Sequence, residues 1–448
     1  MKKKNVKWWI IWVLFSFVLS AYYAYALVGG GSKESFLPGE TTHGHYQIEL
    51  ACGACHGDGF EGEEAIQKSC VRCHGAELKA VKDSHPKSKF TDPRNADRVA
   101  ILDARVCVTC HIEHNPDVTR EMGVTLADDF CFLCHQDIAE DRISHEGMEF
   151  DTCASAGCHN YHDNKALYED FLVKHGNEKD IKSEPRALLK SYKAVYQLRT
   201  GEDHQALTRE QADLKLRASD TVLDEWSITS HARSGVNCSG CHGKENEWRE
   251  TPDISTCANC HETEEKGFLN GRHGMRLAQD LSPMRPSLAR HDMKEDAADH
   301  LLGCHSCHKS HRYDTQKAAV EACLTCHNDE HSLNYKNSSH YQLWLKEVNQ
   351  DAEEGTGVSC ATCHMPREQK REKGEYVVLV QHNQNMNLRP NEKMIRSSCM
   401  NCHGLDFSIN ALADRALIQN GFDGVPKEDI KSVEMAMSRE KNKRNEDL

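Results

Sequence analysis

The sequence predicts a mainly α-helical chain with extensive loops and little β structure. Apolar residues recur at helical spacing around Leu167, Phe171 and Leu172, and only the segment 376–380 alternates clearly as a strand does. Proline is scarce, with 11 residues in 448. The apolar content of 38% lies below the roughly 45–50% of ordinary domains, so the protein core should be thin.

The first element is an apolar segment at the N-terminus. Four lysines within the first seven residues precede an uncharged run from residue 8 to residue 28. Such a run is long enough to cross a bilayer, which takes about 20 residues, and the lysines place the N-terminus inside. The alternative is a signal peptide cleaved after Ala24-Tyr25-Ala26, although its apolar region usually spans only about 7–15 residues. Segment 1–28 is therefore an anchor or a signal, and both export the rest of the chain.

The cysteines follow one pattern along the remaining chain. All 22 occur as pairs with a histidine directly after the second cysteine. Ten pairs have two intervening residues, and the pair Cys153 and Cys158, followed by His159, has four. Because every cysteine belongs to one of these motifs, no thiol is left for a disulfide or a catalytic nucleophile. The other ten sites are Cys52, Cys55, His56; Cys70, Cys73, His74; Cys107, Cys110, His111; Cys131, Cys134, His135; Cys238, Cys241, His242; Cys257, Cys260, His261; Cys304, Cys307, His308; Cys323, Cys326, His327; Cys360, Cys363, His364; and Cys399, Cys402, His403.

The Cys-x-x-Cys-His pattern predicts covalent attachment of haem c. The thiols form thioethers with the porphyrin, a helical turn presents both sulfurs, and the adjacent histidine becomes the proximal iron ligand. Paired cysteines also bind zinc, but zinc sites do not require a histidine after every second cysteine. We therefore expect eleven haems, around which the chain wraps and whose porphyrins supply the missing apolar surface.

The remaining histidines are candidates for the sixth iron ligand. Eleven proximal histidines out of 28 leave 17, six more than eleven distal positions require, and any single one can be a surface residue instead. His114, His162, His311 and His331 follow a proximal histidine by about one helical turn. At that distance they cannot reach the far face of their own haem, so we expect each to bind a neighbouring haem. The 17 are His43, His45, His85, His114, His145, His162, His175, His204, His231, His273, His291, His300, His305, His311, His331, His340 and His382.

The distribution of these sites predicts six segments. Five haem sites cluster before a haem-free stretch with helix-like spacing around Leu167–Leu172 and Leu188–Val195, and six follow it. An amphipathic helix is expected over 409–417, and a solvated charged tail over 427–448. The segments are 1–28, the anchor or signal; 29–48, a linker; 49–163, a five-haem module; 164–230, a helical connector; 231–417, a six-haem module; and 418–448, the tail.

The N-terminal half resembles class III cytochromes of the c3 type. Its haem sites are dense, and the wider spacing from Cys153 to Cys158 also occurs in the small tetrahaem members of that family. The resemblance implies that this site, too, binds haem.

The C-terminal half, about 226–417, resembles pentahaem nitrite reductases and octahaem hydroxylamine oxidoreductases. The segment Gly357–Pro366 is similar to a late haem site of the reductases, and Cys323–His340 is similar to a hydroxylamine oxidoreductase pattern. The resemblance implies that His340 and His382 are distal ligands. However, the catalytic Cys-x-x-Cys-Lys site of many such reductases is absent, and no tyrosine follows Tyr376 to form the oxidoreductase cross-link.

The resemblance implies one site of this half for a catalytic haem, if the chain has one. The site Cys257–His261 has the position of the family's catalytic haem, with Asp299, His300 and Tyr335 as its polar residues. The alternative is that His300 is an ordinary distal ligand and that Tyr335 packs on a porphyrin edge.

These features favour an electron carrier over an enzyme. We expect a cytochrome that passes electrons between a quinol-linked membrane partner and a periplasmic or surface acceptor, anchored on the periplasmic side or secreted there after cleavage. The alternatives are a reductase of nitrite, hydroxylamine or a sulfur oxyanion with one five-coordinate haem, and a subunit of a haem filament. The net charge of −14 argues against nucleic acid and for cationic patches on redox partners.

Overall fold

A computed structural model confirms a mainly α-helical fold with extensive loops. Most of the helices are short, and the strands among the described residues form a single two-stranded sheet. The structure describes residues 3–28, 33–57, 62–115, 117, 119, 123–127, 129–141, 145, 161–163, 167–183, 205–214, 217–372, 374–388 and 392–446.

The N-terminal apolar segment is one continuous helix, Lys3–Val28. In the described part of the chain it is the one helix, over residues 6–27, that is long and apolar enough to cross a membrane, and a signal sequence has the same character. Near its end, the Tyr23 ring packs edge-on against Phe36, with 5.4 Å between ring centres.

The chain divides into two compact units. The N-terminal unit comprises Met1–Cys70 and Val106–Leu126, and the main unit comprises Val71–Arg105 and Ala127–Leu448. The further helices up to residue 141 are Glu34–Phe36, Tyr46–Ile48, Gly53–His56, Glu63–Ala80, Lys87–Phe90, Pro93–Asn95, Ala96–Ile101, Cys107–Thr109, Phe130–Leu133 and Ile138–Asp141.

The rest of the main unit consists of helices and one hairpin. The predicted strand is confirmed as Glu375–Val380, and it pairs antiparallel with Arg367–Glu372, which the sequence did not reveal because its residues are nearly all charged. The helices are Glu169–His175, Arg209–Gln211, Asp220–Ser227, Ser230–Arg233, Cys238–His242, Glu245–Glu247, Ile254–Asn270, Leu277–Gln279, Pro286–Leu288, Glu295–Ala297, Cys304–Cys307, Thr315–Lys317, Ala318–Ala322, Cys323–Cys326, Glu330–Asn334, Tyr335–Asn337, Ser339–Val348, Cys360–His364, Asn385–Leu388, Lys393–Ser397, Cys399–Asn401, Leu405–Ala413, Arg415–Gln419 and Ser432–Glu446.

Small apolar clusters replace a single large core in the main unit. One surrounds Leu405 and Ile409, a second surrounds Trp226, and a third surrounds Trp344. Cysteines of the haem motifs, Cys399 and Cys238 among them, pack against these clusters. The thin protein core that the composition predicts is therefore built around the motifs.

Two expectations about the C-terminal region were wrong. The helix expected over 409–417 is broken at Asp414, which caps a second helix through the Leu417 amide, because its side chain competes for backbone donors. The charged tail is not fully solvated, since Val433 and Ala436 are buried against the helix Glu169–His175. The first expected connector helix is thus present, whereas its second half, around 188–195, lies outside the described residues.

Candidate haem sites

Each described motif folds as a helical turn. The backbone N–H of the motif histidine donates to the carbonyl oxygen of the first cysteine, over 2.9 Å from His56 to Cys52 and over 2.9 Å from His327 to Cys323. This i to i+4 bond places both cysteines and the histidine within one turn. The ten described motifs thus have the local geometry that attachment requires, and the motif of Cys153, Cys158 and His159 lies outside the described residues.

Eight motif histidines face a second histidine from elsewhere in the chain. In every pair the two ring centres are 5.8–6.4 Å apart. The pairs, with the motif histidine first, are His56 and His114, His135 and His85, His242 and His311, His261 and His231, His308 and His382, His327 and His273, His364 and His331, and His403 and His340.

This spacing fits one metal ion between two imidazoles. A metal–imidazole bond is about 2 Å long, and the ring centre lies roughly 1 Å behind the bonding nitrogen. Two imidazoles that bind one ion from opposite sides therefore have ring centres roughly 6 Å apart. Direct packing of two rings places their centres anywhere from about 4.5 to 7 Å apart, so it does not account for eight pairs within so narrow a range. The residues present thus fit haem iron with two histidine ligands.

The hydrogen bonds of these histidines fix the tautomer that iron needs. The Nδ1 atoms of His114 and His382 lie 2.9 Å from the carbonyl oxygens of Gly39 and Val380, and that of His331 lies 2.6 Å from Ile418. A carbonyl oxygen only accepts, so each Nδ1 carries the proton. The Nε2 atom is then left with a free electron pair for the metal.

Burial keeps several of these rings neutral. Burial, and after it the neighbouring histidines, lowers the pKa of His273, His308, His340 and His364 to about 4. Because iron binds the neutral imidazole, these rings are in the coordinating form at neutral pH without a prior loss of a proton.

Five of the six distal ligands predicted from sequence face a motif histidine. These are His114, His311, His331, His340 and His382, and none of them faces the histidine of its own motif. The sixth, His162, lies with Nδ1 3.1 Å from the Asp83 carboxylate.

The backbone explains how a histidine three residues after a motif reaches another site. His114 and His311 both have a left-handed backbone, with φ of 60° and 66°. This conformation is uncommon outside glycine and reverses the chain direction, so the ring is turned away from its own motif. His331 instead lies in the helix Glu330–Asn334, which Asp329 caps.

His85, His231 and His273 face motif histidines although sequence reasoning did not single them out. They stand at no fixed spacing from the motif they face, and only the surplus of histidines pointed to them. His231 is positioned by the helix Ser230–Arg233, whose cap Thr229 is buried and accepts a bond from the Ala232 amide. This helix packs on the Trp226 cluster.

Comparison with known proteins identifies one family. The family model of cytochrome c3 matches residues 44–136 and 297–377, together under half of the chain. Both segments contain several of the motifs described above. No curated protein matches the chain.

These matches support a multihaem c-type cytochrome with covalently bound haem c. The first match agrees with the resemblance of the N-terminal half to c3-type cytochromes. The second lies within the half for which the sequence suggested nitrite reductases and hydroxylamine oxidoreductases, but the family matched there is again cytochrome c3.

Within the main unit, the last six motifs form a row in sequence order. The Cys257 and Cys304 thiols are close enough to shift each other's pKa, and so are the Cys323 and Cys360 thiols. The other neighbouring motifs also have cysteines close to each other. At these motifs burial raises the pKa of a cysteine thiol, and the charge of the sulfurs in the next motif raises it as well. The neighbours are Cys241 with Cys257 and Cys260, Cys307 with Cys323 and Cys326, and Cys363 with Cys399 and Cys402. Consecutive attachment sites are therefore neighbours in space.

The residues suggested for a catalytic haem at Cys257–His261 do not surround His261 in the structure. Tyr335 is buried in the Trp344 cluster, and its hydroxyl donates to the Val358 carbonyl over 2.6 Å. Asp299 and His300 are exposed, and the Asp299 carboxylate lies 3.9 Å from Arg285. The ring that faces His261 is His231.

Proposed function

We propose that the chain carries eleven covalently attached haems c and relays electrons outside the cytoplasm. Ten described motifs and the Cys153–Cys158 motif provide eleven attachment sites. The bound haems would supply reversible one-electron chemistry, and the protein would hold each iron and position neighbouring haems.

The eight histidine pairs are the observation that carries this proposal. An iron with two histidine ligands has no open position for a substrate, and it needs little rearrangement when it gains or loses an electron. The row of six motifs meets a second requirement of a relay, because electrons pass efficiently only between neighbouring cofactors.

The N-terminal helix supports a place at the membrane. We propose that it stays as an anchor, with all haems on the periplasmic side. The chain would then pass electrons between a quinol-linked membrane partner and a periplasmic or surface acceptor. The helix supports this because it continues through Ala26 to Val28, beyond the candidate cleavage site. Ala26 is buried within the N-terminal unit, whereas the apolar residues before it are nearly all exposed, as in a segment that meets lipid.

Haem counting tests the proposal. The intact mass of the mature protein should exceed that of its polypeptide by eleven haems, and a pyridine haemochrome assay should give the same number. Ten haems would mean that the site of Cys153 and Cys158 is empty. A smaller number would contradict the assignment of the motifs.

Low-temperature EPR separates the relay from a reductase of nitrite, hydroxylamine or a sulfur oxyanion. A relay should show low-spin haems throughout, whereas the reductase needs one open, high-spin haem. A high-spin signal in the wild-type protein together with turnover of nitrite or hydroxylamine would favour the reductase. His231 supports the relay, because it faces His261 at the site where the family resemblance would place the open haem.

A further inference from the structure

The motif at Cys323 differs from other motifs in what its histidine contacts. The Nδ1 atom of His327 lies 3.5 Å from the Oδ2 atom of Asp329. The Asp329 carboxylate is itself held in place, since it accepts bonds from the Ser332 amide over 3.0 Å and from the Ser332 hydroxyl over 2.8 Å. A fixed carboxylate thus stands behind the ring that faces His273.

Other motif histidines contact a neutral acceptor instead. The Nδ1 atom of His242 lies 2.7 Å from the Arg249 carbonyl oxygen, and that of His403 lies 2.9 Å from the Asp180 carbonyl oxygen. These two sites are the ends of the six-motif row, and both lack the full negative charge that Asp329 provides.

The carboxylate near His74 is compensated, whereas Asp329 is not. Glu77 lies 3.7 Å from the His74 ring and also forms an ion pair with Lys393, whose charge offsets its own. For Asp329, no lysine or arginine lies within ion-pair distance among the residues that the structure describes.

An aspartate carboxyl group is ionised at neutral pH, so Asp329 places a full negative charge beside the His327 ring.

A carboxylate close to the Nδ1–H group of an imidazole ligand polarises that bond and makes the imidazole a stronger electron donor to its metal. The added electron density and the nearby negative charge both favour the oxidised iron, which carries one more positive charge. The reduction potential of such a haem is therefore lowered.

We propose that Asp329 is a positioning residue that acts through His327 and lowers the reduction potential of the haem at Cys323 and Cys326. That potential lies below those of the haems at Cys238 and Cys399, whose motif histidines contact backbone carbonyls. The inference rests on the haem binding proposed above. Because the Cys323 site is inside the row, electrons that travel along it cross an uphill step there.

The test is a potentiometric titration of the full-length cytochrome, followed by visible absorbance and by EPR. Asp329→Asn keeps the shape of the side chain and its capping acceptor but removes the charge. The absorbance change that belongs to one haem should occur at a higher potential than in the wild type. All haems should stay low-spin, and the melting temperature should be unchanged.

Asp180→Asn is the matched control. His403 contacts the backbone carbonyl of Asp180, which remains when the Asp180 side chain loses its charge. The titration of this variant should overlay that of the wild type. An unshifted Asp329→Asn titration, or an equal shift in Asp180→Asn, would overturn the proposal.

Ser332→Ala gives a second, opposite expectation that does not depend on the folding of the first variant. The loss of its hydroxyl donor leaves more negative charge on the Asp329 oxygens, so the same haem should move to lower potential. An upward shift would contradict the proposal. A wild-type protein without haem at Cys323 would instead refute the haem assignment, which the haem count detects separately.

Discussion

The helix of one haem motif approaches a histidine that faces another motif at Gly267, and this contact yields a sharp prediction. Gly267 lies in the helix Ile254–Asn270, which carries the motif of Cys257. It lies against His382, which comes two residues after the end of the strand Glu375–Val380 and whose ring faces His308. A side chain at position 267 should therefore disturb a ligand of a different haem.

The size of the disturbance follows from the distances. A Cβ atom at position 267 would lie 3.1 Å from the Cβ atom of His382 and 3.2 Å from its backbone nitrogen, whereas ordinary contacts begin at 3.4 Å. His382 must then move by at least about 0.3 Å, which exceeds the roughly 0.2 Å that a metal–ligand distance tolerates. Alanine gains about 1 kcal/mol of helix propensity, and overpacking costs about 1–3 kcal/mol. These two effects on stability partly offset each other, so the melting temperature should change little. The bond between His382 and the iron should be disturbed clearly.

Gly267→Val, with two further carbon atoms, should detach His382 from the iron completely, and Gly267→Ala should do so in part. Low-temperature EPR should show a new high-spin signal from one haem, with the haem count unchanged. Gly44→Ala adds the same methyl group where the nearest atom is 3.8 Å away, and it should leave the spectrum unaltered. A wild-type spectrum for Gly267→Val would refute the reasoning.

Three further predictions concern ligation, the N-terminus and a structural glycine. His231→Ala should create one high-spin haem because its ring faces a motif histidine, whereas His300→Ala, at an exposed position, should not; EPR compares the two. The mature protein should require detergent and retain its N-terminus, and sequencing that starts at Leu27 would contradict the anchor. Gly421→Ala should lower the melting temperature strongly, since φ is 71° and the new Cβ would lie 2.4 Å from the Tyr335 nitrogen. Gly374→Ala, with φ of 88° and open space, should cost only the backbone strain of about 1–2 kcal/mol, and calorimetry distinguishes the two.

The sequence predicted the features that depend on a few consecutive residues. The five-residue haem motifs fold as single turns because their hydrogen bonds join residues four apart. The apolar run became one helix, and the alternation at 376–380 became a strand for the same local reason. The partner strand Arg367–Glu372 could not be predicted, since its charged residues reveal no buried face.

The tertiary structure decided which histidine faces which motif. His231, His273 and His85 reach their partners from distant segments, and the approach depends on the packing of buried elements such as Trp226 and on the absence of a side chain at Gly267. The sequence by itself determined that there are more histidines than motifs, but it contained no spacing that could pair them. The physical reason is that two ligands of one metal must meet across a gap of about 6 Å, and only the folded chain sets distances between residues that are far apart in sequence.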